Sequence, residues 1–285
     1  MVEVLQAIPG VVFGLLAMLS WGISDFIAAS LARRNSSMQT FFWTQLVSLG
    51  LFILTFLAFF SMPALAAETL GLIAIITVVR IAAFLAFYQG LRDGKIGVVS
   101  VLTNSWPAAT VILALLFLGE SLTAAQALAI MLVMAGATTV SFQVKGKGSV
   151  SLGARYGLFA LAAFGIYFAA IGLLTKQINW FIPVLLIKLV QAPLLATYAK
   201  QTKKVLAFPR SAWRLVLVIG FLETVGFYSY GLGITNEYTA VIAPMMAGIP
   251  VITLLLARAF FRESLSKMQK IGIIAALAGL VLLSV

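Results

Sequence analysis

Long apolar segments separated by short polar gaps dominate this sequence. Each has about the 20 residues that a helix needs to cross a bilayer core of about 30 Å. Their apolar residues run continuously instead of alternating with period two, which favours membrane helices over the strands of a barrel. The pattern therefore predicts an all-α integral membrane protein with ten transmembrane helices. The ten segments are 9–31, 38–60, 70–91, 97–118, 123–142, 154–175, 180–199, 212–234, 239–261 and 268–284.

The sequence also repeats itself at a constant offset of 143 residues. Trp-Gly-Ile at 21–23 returns as Phe-Gly-Ile at 164–166, and Glu-Ser-Leu at 120–122 returns unchanged at 263–265. We interpret residues 1–142 and 143–285 as two copies of one five-helix repeat within one integrated membrane domain. Because five is an odd number, the second repeat must enter the membrane inverted relative to the first.

Composition and charge agree with a membrane protein. Charged residues make up 9% of the chain, against roughly 25% in soluble domains. Sixteen Lys and Arg residues lie in or beside the gaps on one side of the predicted bundle, and Lys176 alone lies on the other. The positive-inside rule then predicts that the basic side is cytoplasmic and that both termini are extracytoplasmic, in a cell (plasma or inner) membrane. This distribution explains the net charge of +11 without nucleic acid as a partner.

The residue types that are missing exclude several kinds of chemistry. The chain has no cysteine and no histidine, so it lacks thiol chemistry, the usual metal ligands and the commonest general base. It also has neither a P-loop nor a GxGxxG motif. We therefore expect no catalytic residues, no metal, no cofactor and no enzymatic activity.

The start of the last helix of each repeat carries the same signal. Thr123 with Gln126, and Ser266 with Gln269, have the spacing of a capping box. Glu120 and Glu263 lie just upstream of these boxes, and we interpret each as a loop carboxylate that fixes the entry of the next helix. A role in substrate binding is the alternative.

Two charged residues occupy equivalent positions near the centre of predicted spans. Arg80 and Glu223 are 143 residues apart, so the pseudo-two-fold axis of inverted repeats relates them. A charge at a helix centre is costly unless it is paired or lines a wet cavity, and binding sites of such transporters lie near the midplane between the repeats. The two residues either form a permanent ion pair that locks the repeats together, or contact a substrate and separate during a cycle.

Aromatic residues share the helix faces of these charges. Phe84 and Phe87 follow Arg80 by four and seven positions, as Phe227 and Tyr230 follow Glu223. Such faces, with Trp21 as a further wall, would form a pocket for an amphipathic organic solute. Packing or lipid contact is the alternative explanation for the rings.

Four further polar residues fall within predicted spans. Lys188 is the equivalent of Gln45, so that site is polar in both repeats; it either lines the cavity or extends its amine toward the membrane surface. Asp25 either pairs with the basic residues at 33–34 or, like Glu223, carries a coupling proton. Asn104 is a weaker candidate for the cavity.

Pro107 and Pro250 are also equivalent, within the fourth and ninth predicted helices. Proline interrupts the helical hydrogen-bond ladder and kinks a helix. Each kink is either a hinge for gating or a fixed feature of the helix shape.

Taken together, these features resemble the EamA-like members of the drug/metabolite transporter superfamily. The resemblance rests on the two repeats, the Trp-Gly pair in 21–25, Pro107, Pro250 and the paired segments 119–123 and 262–266. It covers the whole chain and implies alternating-access secondary transport, with helices one to four and six to nine lining a central cavity. A small-molecule substrate, the lipid bilayer and a coupling proton would be the partners.

The expected function is thus secondary-active transport of a small organic solute, such as the export of a metabolite, an amino acid or an amphipathic drug. An uncoupled facilitator or channel, and a non-transporting structural membrane protein, are the alternatives. Substrate, direction, coupling ion and oligomeric state stay open at this point.

Overall fold

A computed structural model describes residues 8–32, 37–93, 96–141, 150–203, 206–261 and 265–283. Within these ranges the chain is helical and has no strand, so the predicted all-α fold is confirmed. The α-helices are α1 (Gly10–Ala32), α2 (Ser37–Phe59), α3 (Ala67–Asp93), α4 (Ile96–Asn104), α5 (Trp106–Phe117), α6 (Ala124–Ser141), α7 (Val150–Gln177), α8 (Ile182–Gln201), α9 (Trp213–Asn236), α10 (Thr239–Met245), α11 (Ile249–Phe261) and α12 (Lys267–Leu283). Two short 3-10 helices cover Arg210–Ala212 and Met246–Gly248.

Ten membrane spans account for these helices. Seven stretches of 19 to 27 residues are long and apolar enough to cross a bilayer. Shorter apolar stretches at 101–117 and 124–140, together with α12, supply the others. Large apolar side chains such as Leu57 and Phe117 are exposed on the outer surface, where lipid, unlike water, accepts them.

The fourth and ninth spans differ from the continuous kinked helices that we predicted. The fourth span is broken at Ser105, between α4 and α5, and the ninth is interrupted by the 3-10 helix at 246–248, between α10 and α11. Pro107 and Pro250 each lie at the second residue of the helix that follows the break. Proline is tolerated in a first helical turn because its missing N–H has no partner there. The prolines therefore begin the second half of each broken span.

Helix packing follows the inverted repeat. Helix α1 packs on α9, and α3 packs on α7. The 143-residue offset converts one of these pairs into the other, because α7 is the equivalent of α1 and α9 is the equivalent of α3. The two repeats are therefore interleaved, and each contributes helices to both faces of the centre.

The last helices of the repeats, α6 and α12, pack tightly on each other. A Cβ atom on Gly272 would lie 2.7 Å from the carbonyl oxygen of Gly136, and one on Gly279 would lie 2.7 Å from that of Ala129. Small residues permit such close backbone approach between membrane helices. We regard this pair as the scaffold of the molecule.

Both predicted capping boxes are confirmed. The backbone N–H of Thr123 donates to Gln126 Oε1 at 3.0 Å, and that of Ser266 donates to Gln269 Oε1 at 2.9 Å. The reciprocal bonds, from each glutamine N–H to the hydroxyl, are 3.2 Å long. The capping-box pattern in the sequence therefore predicts correctly where α6 and α12 begin. Glu263, upstream of the second box, lies outside the described residues.

Glu120 has a different role from the predicted one. Its Oε1 accepts a hydrogen bond from Lys176 Nζ at 2.8 Å, and its Oε2 accepts one from the Ala240 backbone N–H at 2.7 Å. The carboxylate thus joins the end of α7 to the first turn of α10. It fixes the ninth span, whereas we had expected it to fix the helix that follows it in sequence.

Candidate functional site

A cavity of about 490 Å³ lies between the repeats at the centre of the bundle. We call one face of the bundle the basic side, because most Lys and Arg residues of the sequence lie there. Helices α1 and α3 end on this side, and α2 and α4 begin on it. The other face is called the opposite side. The lining residues of α1, α2, α3 and α9 lie at the centre of these helices or in the half nearest the basic side. Asp25, on the basic-side half of α1, is among these lining residues and is exposed. The cavity therefore extends from the centre toward the basic side.

Arg80 and Glu223 meet at the inner end of this cavity. Arg80 Nη2 lies 3.9 Å from Glu223 Oε1, and Nη1 donates to Gln191 Oε1. The Arg80 side chain is 3% exposed and that of Glu223 is 18% exposed. Gln45 Nε2 also donates to Glu223 Oε1, at 3.1 Å. The two residues related by the repeat are thus paired across the axis, with the carboxylate the more accessible of the two.

Lys188 and Gln45 form a second contact between equivalent residues. Lys188 Nζ donates to Gln45 Oε1 at 3.1 Å. The ammonium also lies 4.6 Å from the ring centre of Phe227 and 5.4 Å from that of Phe52. Gln45 lines the cavity, whereas Lys188, only 2% exposed, lies behind the wall. We predicted both Gln45 and Lys188 as cavity residues, and the structure places only Gln45 at the surface of this cavity.

Aromatic rings surround the central guanidinium. Arg80 Cζ lies 5.3 Å from the ring centres of Tyr167 and Phe227 and 5.5 Å from that of Phe84. These distances are within the range of cation–π attraction. The predicted combination of a charge with stacked rings on one face is therefore present, and Phe87 extends the same wall.

Trp21 contacts aromatic rings of both α7 and α9. Its ring lies 5.1 Å from Phe227, 5.8 Å from Tyr230 and 6.1 Å from Phe168, measured between ring centres. Phe168 in turn stacks on Trp106 at 4.0 Å. Tyr230, which we predicted as a cavity residue, is 1% exposed and lies behind this cluster.

Asp25 and Asn104 also line the cavity. Asn104 is the last residue of α4, immediately before the break in the fourth span. The basic residues 33–34, the alternative partners for Asp25, lie outside the described residues. The structure therefore places the Asp25 carboxylate at the cavity, beside the path to the basic side.

The opposite half of the bundle is filled by a cluster that we call the aromatic seal: Phe52, Phe60, Trp180, Phe181 and Tyr228. The Phe60 and Phe181 rings stack nearly parallel at 4.1 Å, and Phe52 stacks on the same ring at 5.2 Å. Tyr228 approaches Phe52 edge-on at 4.8 Å. These contacts pack the opposite-side ends of the second and seventh spans against each other and against α9.

Sequence reasoning missed several residues of the site. Gln191 binds Arg80 directly, and Thr224 donates to Ser48 at 2.9 Å beside Glu223. A signal was present, because Gln191 and Ser48 are equivalent and each follows the polar residue Lys188 or Gln45 by three positions, on the same helix face. Tyr167 and Phe168 gave no such signal, since aromatic residues are frequent throughout the chain.

Comparison with known proteins identifies the family. The sequence model of the EamA-like transporter family matches residues 8–142 and 151–285. The chain belongs to this family. An uncharacterized protein of Methanocaldococcus jannaschii is 29% identical over 133 residues, which cover 46% of this chain and 95% of that protein. A crystal structure with 15% sequence identity has the same fold, with a TM-score of 0.79 over 96% of this chain and 97% of the other.

Members of the EamA-like family are membrane transporters of small solutes and not enzymes. The predicted membership of the drug/metabolite transporter superfamily is confirmed. This chain is accordingly a multi-pass membrane protein whose fold is that of a transporter.

Proposed function

We propose that this protein is a secondary-active transporter that moves an amphipathic, amine-bearing organic solute by alternating access. The observation that carries the proposal is the central cavity, which lies between inverted repeats and combines charged side chains with aromatic walls. Sites of inverted-repeat transporters lie at this place, near the midplane. The volume of about 490 Å³ falls within the range of small-molecule sites.

The charges of the cavity favour a solute with a positive group. Asp25 and Glu223 present two carboxylates, and Arg80 presents one guanidinium that is already held by Gln191. Both contacts of Glu223 use Oε1, and the side chain is partly exposed. An amine on the solute would therefore find its strongest partner at Glu223, with the rings around it binding the apolar body.

Unpaired polar atoms around the cavity support the same proposal. Among the described residues, four cavity-lining side chains have a buried polar atom with no hydrogen-bond partner: Trp21, Thr40, Thr103 and Tyr167. Buried polar groups are nearly always paired. All four atoms are covered in the present conformation, so a solute and its water shell would reach them only after the cavity walls rearrange around it.

The aromatic seal argues for a carrier over an open facilitator. A channel needs a continuous polar path across the membrane, whereas Phe60, Phe181 and Phe52 stack across the opposite half of the bundle. One side of the site is closed while the other is accessible. Transport through this site would require the two halves to exchange these states.

Direction and location follow from the charge distribution. If the basic side is cytoplasmic, the protein lies in the cell membrane with both termini outside, and the cavity loads from the cytoplasm. The transporter then exports its solute. Asp25 and Glu223 are the carboxylates available to couple export to protons, because the chain has no histidine.

The test is uptake into liposomes that contain the purified protein. A pool of amino acids and aromatic amines is offered with and without a proton gradient, and mass spectrometry measures what accumulates. We expect selective accumulation of one solute class, which is lost in Glu223→Gln. Glu68→Gln is the matched control, since Glu68 is exposed in the first turn of α3, remote from the cavity. Equal uptake by all three proteins would contradict the proposal.

A further inference from the structure

Equivalent residues of the two repeats lie in unequal environments. Four residues of α2 line the cavity, whereas α8, all of whose 20 residues are described, contributes none. The α2 residues are Thr40, Phe41, Thr44 and Gln45. Their equivalents 143 positions later do not line the cavity, and all four are buried: Pro183, Val184, Ile187 and Lys188. Thr40, Thr44 and Gln45 are themselves at most 7% exposed, so the difference between α2 and α8 is which of them borders the cavity. The present cavity, which faces the basic side, is therefore bordered by α2 and not by α8.

Exchange of these environments would produce a cavity that faces the opposite side. Inverted repeats are related by an axis in the membrane plane, so each repeat is able to adopt the conformation that the other has now. In the exchanged state, α8 lines the cavity and α2 is buried. Lys188 then occupies the place that Gln45 occupies in the present state. This step rests on the alternating access of the proposed function.

The other charges stay at the cavity when the repeats exchange. Arg80 and Glu223 are equivalents of each other, and both line the present cavity. Asp25 exchanges with Phe168, which also lines it. The cavity that faces the basic side thus has two carboxylates and one guanidinium, and the cavity that faces the opposite side gains the Lys188 ammonium.

We propose that Lys188 is an internal cation that expels a cationic solute once the cavity opens to the opposite side. In the present state the ammonium is held behind the wall by Gln45 Oε1 and by the Phe227 ring. Gln45 also binds Glu223, so the ammonium already lies one residue away from the proposed partner of the solute amine. Moving it into the cavity places a like charge beside the bound cation, which weakens solute binding on the release side only.

The first test uses the wild-type protein, so that folding of a variant plays no part. Vesicles of both orientations are treated with a membrane-impermeant amine-reactive ester, and mass spectrometry locates the modified lysines. Lys176 and Lys200, exposed at the opposite and basic ends respectively, report on the sidedness of the reagent. We expect Lys188 to be modified from the opposite side. Modification from the basic side only, or from neither side, would overturn the proposal.

Single-cysteine variants separate this inference from alternating access itself, since the chain has no native cysteine. A membrane-impermeant maleimide should reach Gln45→Cys from the basic side, and both Val184→Cys and Lys188→Cys from the opposite side. If Val184→Cys reacts and Lys188→Cys does not, the inference fails while alternating access stands. If neither α8 cysteine reacts from the opposite side, the proposed function fails with it.

The charge of Lys188 is tested with ethidium, an aromatic monocation, whose half-saturating concentration is measured for transport started from each side. In the wild type we expect binding at the opposite side to be weaker by about tenfold or more. A like charge about 4 Å away lowers affinity by about fivefold in bulk water and by several hundredfold at an effective dielectric of about 20, and a wet cavity lies between these limits. Lys188→Arg should keep the difference and Lys188→Gln should abolish it. An unchanged ratio in Lys188→Gln overturns the inference, whereas no ethidium transport from the basic side counts against the proposed function.

Discussion

The basic half and the opposite half of the bundle, which lie on either side of Arg80 and Glu223, are built from different residues. The opposite half is closed by the aromatic seal, in which Phe181 stacks between Phe52 and Phe60. The basic half contains the cavity. In the sequence, the equivalents of Phe181 and Phe60 are Met38 and Lys203. The repeats share one fold, yet the stack of rings at Phe181 has no equivalent in the basic half.

If the protein works by the proposed alternating access, this difference favours the conformation whose cavity faces the basic side. Stacked rings add about 0.5–1.5 kcal/mol per pair beyond the area that they bury, and the equivalents of Phe52 and Tyr228 in the basic half are Leu195 and Leu85. Closing the opposite side therefore gains contacts that closing the basic side lacks. An empty transporter should rest open to the basic side and need a bound solute to leave that state.

The largest effect is expected at the centre, where the two halves meet. Arg80→Ala leaves Glu223 and Gln191 without their buried partner, and breaking a buried pair costs about 3–5 kcal/mol. We expect loss of transport together with a large fall in thermal stability of the purified protein. If Arg80→Ala were as stable as the wild type, the ion pair between Arg80 and Glu223 would not contribute to the stability of the fold.

A charge exchange distinguishes a lock from a transport site at the same place. The double variant Arg80→Glu with Glu223→Arg keeps an ion pair between the repeats, so stability should recover relative to Arg80→Ala. Transport should not recover, because the carboxylate no longer has the Gln45 contact and the cavity exposure of Glu223. Recovery of both properties would identify the pair as a structural lock.

A smaller effect is expected from weakening the aromatic seal. Phe181 is fully buried, and Phe181→Ala should lower the free energy of unfolding by about 3 kcal/mol through lost packing. It should also raise the modification of Lys188 from the opposite side, because the closed state loses its ring contacts. Phe59→Ala, at a residue 67% exposed on the outer surface, is the control and should change neither quantity. Equal modification in both variants would mean that the seal does not set the resting state.

The smallest effect is expected in the scaffold, which takes no part in the difference between the halves. A Cβ atom in Gly136→Ala would collide with the backbone of Ala276, and overpacking typically costs about 1–3 kcal/mol. Thermal stability should fall, while transport per folded molecule stays unchanged. Gly71→Ala adds the same methyl group where no atom lies within 4 Å, and should leave stability equal or slightly higher. Loss of transport in folded Gly136→Ala would show that α6 and α12 move during the cycle.

Most of the fold was predictable because hydropathy and the repeat are strong, redundant signals. Helix starts such as the capping box at Thr123 follow from local chemistry alone. The breaks at Ser105 and at 246–248 were not predicted, since a proline in an apolar run is compatible with both a kink and a break. Glu120 was assigned to the wrong helix because its partners, Lys176 and Ala240, are distant in sequence.

For the site, the internal repeat predicted which polar residues are equivalent and little more. The offset of 143 residues linked Arg80 with Glu223 and Lys188 with Gln45, and the structure brings both pairs into contact. It did not reveal that Gln45 would line the cavity while Lys188 lies behind its wall. The offset identifies equivalent positions but not which of the two borders the cavity in one conformation; under the proposed alternating access, the two residues would exchange places.

Counterflow is the measurement that tests alternating access most directly. Liposomes with the purified protein are loaded with an excess of the unlabelled solute identified in the uptake assay, and a trace of labelled solute is added outside. A carrier that exposes one site to one side at a time predicts transient accumulation of label above its equilibrium level, lost in Glu223→Gln and kept in Glu68→Gln. Simple equilibration of label without that overshoot would contradict alternating access and indicate a pore.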